Sequence, residues 1–265
     1  MDVYVISPLS NLEPMKLGNR IFVLAHLWVQ FPEYRAFILD RKEEGYWITL
    51  DNSAAERALV TEDILIEICR ELMTDEVIAP DVLFDKEETI LNARMFRDRM
   101  EEEGLLGTID IFFCPQGETK EAWLNAYNWA INQSWIDVIG FSKIAVPNAW
   151  LDNYTDDQGI KEARHMAYDY LKEKGLLVKP IHCLGQGDPT EFAYYDHPMM
   201  RSTDSVYPVF AATLGQDFTK DHTTRTPTPH SFLETFDMTN ADMNLIENNV
   251  EFLMNQAHQT AVWKN

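Results

Sequence analysis

Cysteine is scarce in this chain. The three cysteines, Cys69, Cys114 and Cys183, lie far apart in the sequence. An odd and widely spaced set is typical of reduced thiols in a cytosol, not of a disulfide framework. The sequence also contains no Cys-x-x-Cys or His-x-His pair, so it offers no compact zinc site.

Long apolar runs and glycine-rich nucleotide motifs are missing as well. No stretch approaches the ~18 apolar residues that can span a membrane. The first eight residues lack the basic start of a signal peptide. There is no Gly-x-Gly-x-x-Gly after the first predicted strand and no Gly-x4-Gly-Lys-Ser/Thr. We therefore expect a cytoplasmic protein with no metal, no cofactor and no membrane partner.

Positive charge is in short supply. The chain has 22 basic and 43 acidic residues, for a formal net charge of −21. A nucleic-acid backbone would be repelled by the average field of such a protein. Binding to nucleic acid would therefore require a local basic patch or a partner subunit. Solubility alone is the competing explanation of the charge.

Apolar residues are plentiful and follow an alternating pattern of strands and helices. With 265 residues and 46% hydrophobic content, the chain is large enough for one barrel-sized domain over residues 1–265. Strands alternate with helices about seven times, which is typical of βαβ units and a parallel sheet. We predict an α/β fold, a compact (β/α)8 TIM-type barrel with one irregular or missing unit. A doubly wound open sheet is the alternative.

The predicted elements are short strands separated by amphipathic helices. The predicted strands are 21–26, 47–50, 76–79, 108–113, 135–139, 177–182 and 199–202. The predicted helices are 61–73, 86–103, 118–133, 158–174, a short one at 190–195, and a C-terminal one at about 240–257. The polar, proline-bearing stretch 216–230 is predicted to be a mobile loop near the barrel mouth.

Three aspartates follow closely on predicted strands: Asp51, Asp81 and Asp204. In an α/β barrel such residues face the active-site mouth. Two carboxylates in one pocket suit glycosidic chemistry, in which one traps an oxocarbenium-like centre and the other manages protons. Each aspartate, taken singly, is equally suited to capping a helix or shaping a turn.

The motifs at the strand ends form an ordered series. The series is Asp51-Asn52-Ser53, Pro80-Asp81, Pro115-Gln116-Gly117, Gly140-Phe141, Leu184-Gly185-Gln186-Gly187-Asp188-Pro189 and Ser202-Thr203-Asp204-Ser205-Val206-Tyr207-Pro208. It resembles the tRNA-guanine transglycosylase superfamily, in particular its shorter deazaguanine members from phages and DNA-modification systems. The resemblance covers roughly residues 47–210.

The resemblance implies a base exchange in which a 7-deazaguanine, such as preQ0, replaces guanine in nucleic acid. It makes Asp204 the nucleophile at the sugar C1′ and Asp51 the general acid/base. It makes Asp81 the acceptor for the guanine N1–H and 2-amino edge. The other implied base contacts are Gln116 with the Gly117 backbone, and the backbone of Gly140 and Phe141. Phe141 is also the one aromatic candidate for stacking on the base.

Further contacts are suggested by position at or near predicted strand ends. His182 could contact substrate or phosphate, or could be a buried core histidine. Gly185 could contact a sugar or phosphate, or could simply permit a tight turn. The candidate phosphate contacts are Lys143, Arg201, Lys220 and Arg225.

Three departures from the tRNA enzymes favour DNA over tRNA as the polymer or loosen base specificity. No Cys-x-Cys-x-x-Cys cluster follows the barrel, so the zinc subdomain is not expected. Pro208-Val209-Phe210 stands where tRNA enzymes have Pro-Thr-Arg, and Ser53-Ala54-Ala55-Glu56 stands where Gly-Gly-Phe-Gln is usual. The expected partners are DNA, a 7-deazaguanine base, and a second copy or a partner protein, in the host cytoplasm if the chain is phage-encoded.

Three other functions stay open at this point. One is a tRNA-guanine transglycosylase. Another is a non-catalytic barrel subunit that acts beside a basic partner. The third is a glycosidase or nucleoside hydrolase for small molecules that uses the same two carboxylates.

Overall fold

Eight parallel strands form the centre of the molecule. The computed structural model describes residues 1–55, 60–152, 157–229 and 231–259. Within them the strands form a nearly closed ring in the order β1-β8-β7-β6-β5-β4-β3-β2, and a parallel bridge between Tyr4 and Arg20 joins its two ends. The strands are β1 (Asp2–Val5), β2 (Ile21–Leu24), β3 (Ile48–Asp51), β4 (Glu76–Ile78), β5 (Asp110–Phe113), β6 (Val138–Ser142), β7 (Ile181–Leu184) and β8 (Met200–Ser205). The predicted TIM-type barrel is confirmed, and the open sheet is excluded.

Helices connect most consecutive strands. They are α1 (Ala25–Gln30), α2 (Pro32–Glu43), α3 (Glu62–Leu72), α4 (Lys86–Glu102), α5 (Lys120–Ile131), α6 (Ala145–Trp150), α7 (Asp157–Glu173), α8 (Tyr207–Thr213), α9 (Phe232–Thr235) and α10 (Met243–Gln259). Two connections are irregular: a 3-10 turn at Glu13–Leu17 precedes β2, and another at Glu191–Tyr194 precedes β8.

Local sequence signals set several helix starts. Thr61, Asp85 and Thr119 each accept a hydrogen bond from the backbone N–H three residues later, at the beginning of α3, α4 and α5. Such caps each stabilise a helix by about 1 kcal/mol. Thr61 is the cap that the sequence predicts for 61–73, so this helix is confirmed nearly to the residue.

Other boundaries differ from the predicted ones. β2 ends at Leu24 because Ala25 already belongs to α1. β6 begins later than predicted, at Val138, and runs on to Ser142. β8 continues through Asp204, which therefore lies within the strand and not after it. Six elements are not predicted from the sequence, since each lacks a long periodic pattern: β1, α1, α2, α6, α8 and α9.

The C-terminal helix α10 packs against β1 and α8, where the barrel closes. Its residues Ile246, Val250 and Leu253 are buried, as their helical spacing predicts. The segment 216–230, which the sequence places near the barrel mouth, contributes Pro227 and Thr228 to the cavity wall there. Its last residue, His230, lies outside the described residues. Among the described residues, no helix is both long and apolar enough to cross a membrane.

Candidate functional site

A cavity of about 380 Å³ opens at the carboxyl ends of the barrel strands. This volume falls in the range of small-molecule sites. The charged side chains of the described residues that line it are Asp51, Asp81, Asp204 and Lys143. The aromatic residues Phe22 and Tyr207 also contribute to the wall. The mouth is therefore acidic, with one cation among its described lining residues.

The three aspartates converge on one thiol on the cavity wall. Burial raises the pKa of Cys114 well above its ordinary value of 9.0, and the charges of Asp81, Asp51 and Asp204 raise it further. Cys114 therefore stays a thiol at neutral pH and is unsuited to nucleophilic attack. Asp81 follows β4 and Asp204 lies on β8, which are four strands apart in the ring of eight. The two carboxylates thus stand on opposite sides of the mouth.

Asp204 has one oxygen engaged and one that is not. Its Oδ1 accepts a hydrogen bond of 2.8 Å from the backbone N–H of Gly185 and lies 3.1 Å from Nε2 of His182. Its Oδ2 accepts no hydrogen bond from the described residues. Because Asp204 lines the cavity, Oδ2 is the oxygen available to a bound molecule.

The peptide that joins Leu184 to Gly185 is held from its other side by a buried ion pair. Arg164 donates to the carbonyl oxygen of Leu184, and its guanidinium pairs with Glu191. The hydroxyl of Tyr195 donates to the same glutamate at 2.8 Å. Hydrogen bonds at both ends of a peptide unit reinforce one another. The ion pair therefore supports the N–H that Gly185 offers to Asp204.

Asp51 lies at the end of β3, and the loop behind it is strained. Its Oδ2 accepts a hydrogen bond of 2.8 Å from the backbone N–H of Ser53. Ser53 has a φ of +59°, and its hydroxyl oxygen lies 2.8 Å from Nδ1 of His26. A non-glycine residue in this conformation costs of order 1 kcal/mol or more, and such strain is concentrated at functional sites.

Asp81 is held by two neutral amides. Asn52 donates to its Oδ1 at 2.7 Å, and Gln116 donates to its Oδ2. Burial raises the pKa of Asp81 from 3.8 to about 6, and the two amide hydrogen bonds oppose this rise without cancelling it. The Oε1 of Gln116 accepts from the backbone N–H of Phe84, another left-handed residue at φ +69°. Gln116 thus supports Asp81 and its loop, and it does not line the cavity.

The glycines predicted at the base site serve close packing. A Cβ on Gly140 would lie 2.6 Å from Sγ of Cys114, so only glycine leaves room for the neighbouring wall. A Cβ on Gly117 would lie 2.4 Å from the backbone nitrogen of Trp123, at the start of α5. Both glycines are close to the site without lining it.

Phe141 does not reach the cavity. It follows Gly140 on β6, and successive side chains of a strand point to opposite faces. Its ring is fully buried and lies 5.8 Å from the ring of Trp123, in the layer between the barrel and the helices. Among the described residues, the aromatic side chains that line the cavity are Phe22 and Tyr207.

The four cations predicted as phosphate contacts have different surroundings. Lys143 lines the cavity beside Gly185 and forms no ion pair within the described residues. Arg225 lies with its guanidinium carbon 3.6 Å from the ring centre of Tyr207, close to the mouth. Arg201 and Lys220 are elsewhere, since Arg201 pairs with Glu76 of β4 and Lys220 pairs with Asp217 at 2.8 Å on the surface.

Sequence reasoning assigned no role to several residues of the site. These are His26, Asn52, Ser53, Arg164, Glu191 and Ser202. Asn52, Ser53 and Ser202 carried a signal, because they belong to the strand-end motifs that contain Asp51 and Asp204. The others act through distant pairings that local patterns do not reveal.

No protein-family model matches the chain, and no curated protein matches it. The described residues contain no cluster of three or more His, Cys, Asp or Glu side chains that could hold a metal ion. The site must therefore be interpreted from its own side chains.

Proposed function

We propose that this protein is a base-exchange transglycosylase that replaces guanine in nucleic acid, preferably DNA, with a 7-deazaguanine. The observation that carries the proposal is the pair of carboxylates across the mouth. Asp204 keeps Oδ2 available for attack, and Asp81 on the opposite side is suited to accept from a purine edge. The resemblance over residues 47–210 assigns the same roles to the same two residues.

The first half of the reaction forms a glycosyl-enzyme. Asp204 Oδ2 attacks C1′ of the flipped-out nucleotide, and the C1′–N9 bond breaks with its electron pair on the guanine. Asp51, acting as a general acid, transfers a proton to the departing base. The oxocarbenium-like charge that develops on the sugar is stabilised by the adjacent carboxylate.

The second half restores the enzyme. Asp51, now a base, takes the N9 proton of the incoming 7-deazaguanine. N9 attacks C1′, and the C1′–Oδ2 bond breaks with its electron pair returning to Asp204. One N9 proton has moved from the incoming base to the departing one, so the exchange needs neither an oxidant nor a cofactor.

The charge of the mouth favours a second candidate, a nucleoside hydrolase or transglycosylase for free nucleosides. Three carboxylates and one lysine are the charged side chains among the described lining residues. Such a mouth repels a polyphosphate chain, whereas an uncharged nucleoside is unaffected. The two candidates share the attack of Asp204 on C1′ and differ in the length of the substrate; a hydrolase would also use water, in place of the incoming base, to release the sugar from Asp204.

One experiment separates these functions. The protein is incubated with radiolabelled guanine and either plasmid DNA, bulk tRNA or deoxyguanosine, beside the Asp204→Asn variant. Label in DNA that requires Asp204 supports the leading proposal. Label in tRNA alone replaces DNA by tRNA, and label or guanine release only with deoxyguanosine supports the second candidate. A folded protein that acts on none of the three would favour a non-catalytic barrel subunit that acts beside a partner.

A further inference from the structure

We propose that His182 is a positioning residue for Asp204, holding Oδ1 through its Nε2–H so that Oδ2 is presented to the sugar. The identity of the reaction rests on the proposed function. The protonation state of the imidazole is independent of that function, and it can be measured in the protein without substrate. Three observations support this role: the hydrogen bonds of the two ring nitrogens, the burial of the ring, and the ion pair of Arg201 with Glu76 on the opposite side of the barrel.

The donor count determines which ring nitrogen carries the proton. Nδ1 of His182 lies 2.8 Å from the hydroxyl oxygen of Ser202. That oxygen already accepts a hydrogen bond of 3.1 Å from Nε of Arg201, which can only donate. The hydroxyl can therefore donate its own proton to Nδ1, and it must do so if a neutral ring is to offer Nε2–H to Asp204, whose carboxylate oxygens only accept. An imidazole that accepts at Nδ1 carries its proton on Nε2, where Asp204 Oδ1 lies 3.1 Å away.

The surroundings of the ring keep it neutral and immobile. His182 is fully buried, and burial lowers its pKa below the ordinary 6.5, although Asp204 opposes this effect. The imidazole is stacked on Phe22 with ring centres 5.7 Å apart, and Tyr4 and Phe112 meet it edge-on at 5.2 and 5.4 Å. A ring packed on three sides by aromatic rings cannot easily flip to exchange its two nitrogens.

An ion pair across the barrel anchors the series of contacts. Arg201 binds both carboxylate oxygens of Glu76, which is completely buried, at the amino-terminal end of β4. Thr49 donates to the same glutamate at 2.9 Å. The guanidinium is thereby oriented with Nε toward Ser202. The arrangement links the ion pair between Arg201 and the buried Glu76 to the oxygen geometry of Asp204 at the mouth.

The consequence for the reaction is geometric. With Oδ1 held by both His182 and the Gly185 N–H, rotation of the carboxylate would cost two hydrogen bonds. Oδ2 is then fixed in one orientation before substrate binds, which shortens the search for the attacking geometry. Removing His182 should therefore slow the chemical step and leave binding almost unchanged.

Nuclear magnetic resonance of nitrogen-labelled histidine tests the tautomer at pH 7.5, with the His182 signals assigned from their loss in His182→Gln. We expect the wild-type ring to be protonated at Nε2 only. Ser202→Ala should populate the Nδ1–H form. Thr203→Val is the matched control, since it removes a buried hydroxyl of the same strand that donates to Cys183. It should leave the tautomer unchanged.

Kinetics test the positioning role. His182→Phe preserves the aromatic packing without a donor, and it should lower kcat of the exchange roughly 100-fold with KM nearly unchanged. His182→Gln, whose side-chain amide can replace the Nε2–H, should recover at least about tenfold. Thermal unfolding verifies that both variants fold.

Two results would overturn the proposal: an Nδ1–H or doubly protonated ring in the wild type, or an active wild type that His182→Phe does not slow. A wild type that exchanges no base on any substrate would overturn the proposed function instead. The tautomer measured in the same protein would still decide whether His182 holds Asp204 as inferred.

Discussion

The two carboxylates that face each other across the cavity are held by different kinds of partner. On the β8 side, Asp204 Oδ1 meets donors that are each connected to an arginine, the half-buried Arg201 or the fully buried Arg164. On the β4 side, both oxygens of Asp81 meet neutral amides, and no arginine or lysine among the described residues bonds to them. On the β8 side one oxygen has no donor among the described residues, whereas on the β4 side each oxygen already accepts from one amide and can accept one more donor.

The difference points to a division of labour. Donors tied to arginines stabilise negative charge at a defined oxygen, as a nucleophile requires. Amides without a cation leave the cost of burial partly uncompensated, so the pKa of Asp81 lies near 6. Carboxylates whose environments differ in this way commonly have different chemical roles. We therefore expect Asp204 to govern the chemical step and Asp81 to govern recognition of the base.

Asp204→Asn should have the largest effect and should be confined to chemistry. The amide oxygen can still accept from Gly185, but it is no longer a nucleophile. Exchange should fall by roughly 10⁴-fold or more. Equilibrium dialysis with a 7-deazaguanine should show binding within about threefold of wild type. Asp196→Asn, an exposed carboxylate paired with Lys172, is the control and should retain full activity. Equal loss of binding and exchange would contradict the division.

Asp81→Asn should show the opposite pattern. Replacing one acceptor by an amide leaves a donor facing the donors of Asn52, Gln116 and the purine edge. Binding of the free base should weaken by roughly 100-fold or more. The affinity for uracil, a pyrimidine without the 2-amino edge of guanine, is the control and should not change. Isothermal calorimetry measures both, and undiminished purine affinity would remove Asp81 from base recognition.

The titration of Asp81 sharpens the comparison, because its pKa of about 6 lies above its ordinary value of 3.8. A protonated carboxyl has lost acceptor capacity, so base affinity should decrease as pH falls through 6, by about tenfold per unit well below it. In this window the folded chain binds more protons at Asp81 than the unfolded chain. The contribution of this residue to the free energy of unfolding should therefore decrease as pH rises from 3.8 to about 6.

Base affinity and urea unfolding, each measured between pH 4.5 and 7.5, test these two predicted directions: affinity that falls as pH falls, and stability that falls as pH rises. Asp81→Asn should lose the inflection in affinity and the corresponding slope in stability. Persistence of both in the variant would assign the titration to another group.

Gly185→Ala should disturb the β8 side moderately. Gly185 has a φ of +67°, and a Cβ there would lie 2.4 Å from Cδ of Lys143. The backbone should shift its N–H away from Asp204, lowering exchange about tenfold. Gly215→Ala is the matched control, because Gly215 has a similar φ of +74° but an open surrounding. Both should lose about 1 kcal/mol of stability in thermal unfolding. Equal activity of the two variants would contradict a role for the Gly185 N–H.

Lys143→Met should have the smallest effect. Lys143 is the lysine that lines the mouth, where it can contact a phosphate. Its loss should raise KM for a polymer a few-fold. The slope of log affinity against log salt concentration should decrease in magnitude by about one. Activity toward deoxyguanosine should not change. Lys220→Met, which removes a surface lysine paired with Asp217, is the control. A KM that does not respond to Lys143→Met would favour the nucleoside substrate.

The strand-end aspartates show what local patterns can predict. Asp51, Asp81 and Asp204 follow or end short apolar runs, and a parallel barrel brings the ends of such runs to one mouth. All three line the cavity. Lys143 and Gly185 reach it for the same reason. The chemical role of these residues remains a prediction, since their position alone does not identify a reaction.

Phe141 and Arg201 show where local patterns stop. Both lie on strands that contribute to the mouth, yet Phe141 points toward Trp123, and Arg201 reaches back to Glu76. The direction of a side chain depends on the strand pleat and on partners far away in the sequence. Neither could be read from the residues next to it.

The amino-acid sequence was enough to predict the alternation of strands and helices, the helix cap at Thr61, and the placement of carboxylates at strand ends, because these features depend on neighbouring residues. The contacts of Asp204 Oδ1 with His182 and Gly185, of Asp81 with Asn52 and Gln116, and of Glu76 with Arg201 could be known only from the folded chain. These contacts join residues from about 20 to 125 positions apart. They exist only because closing the barrel brings distant strands together, and the surrounding burial then gives each contact its strength.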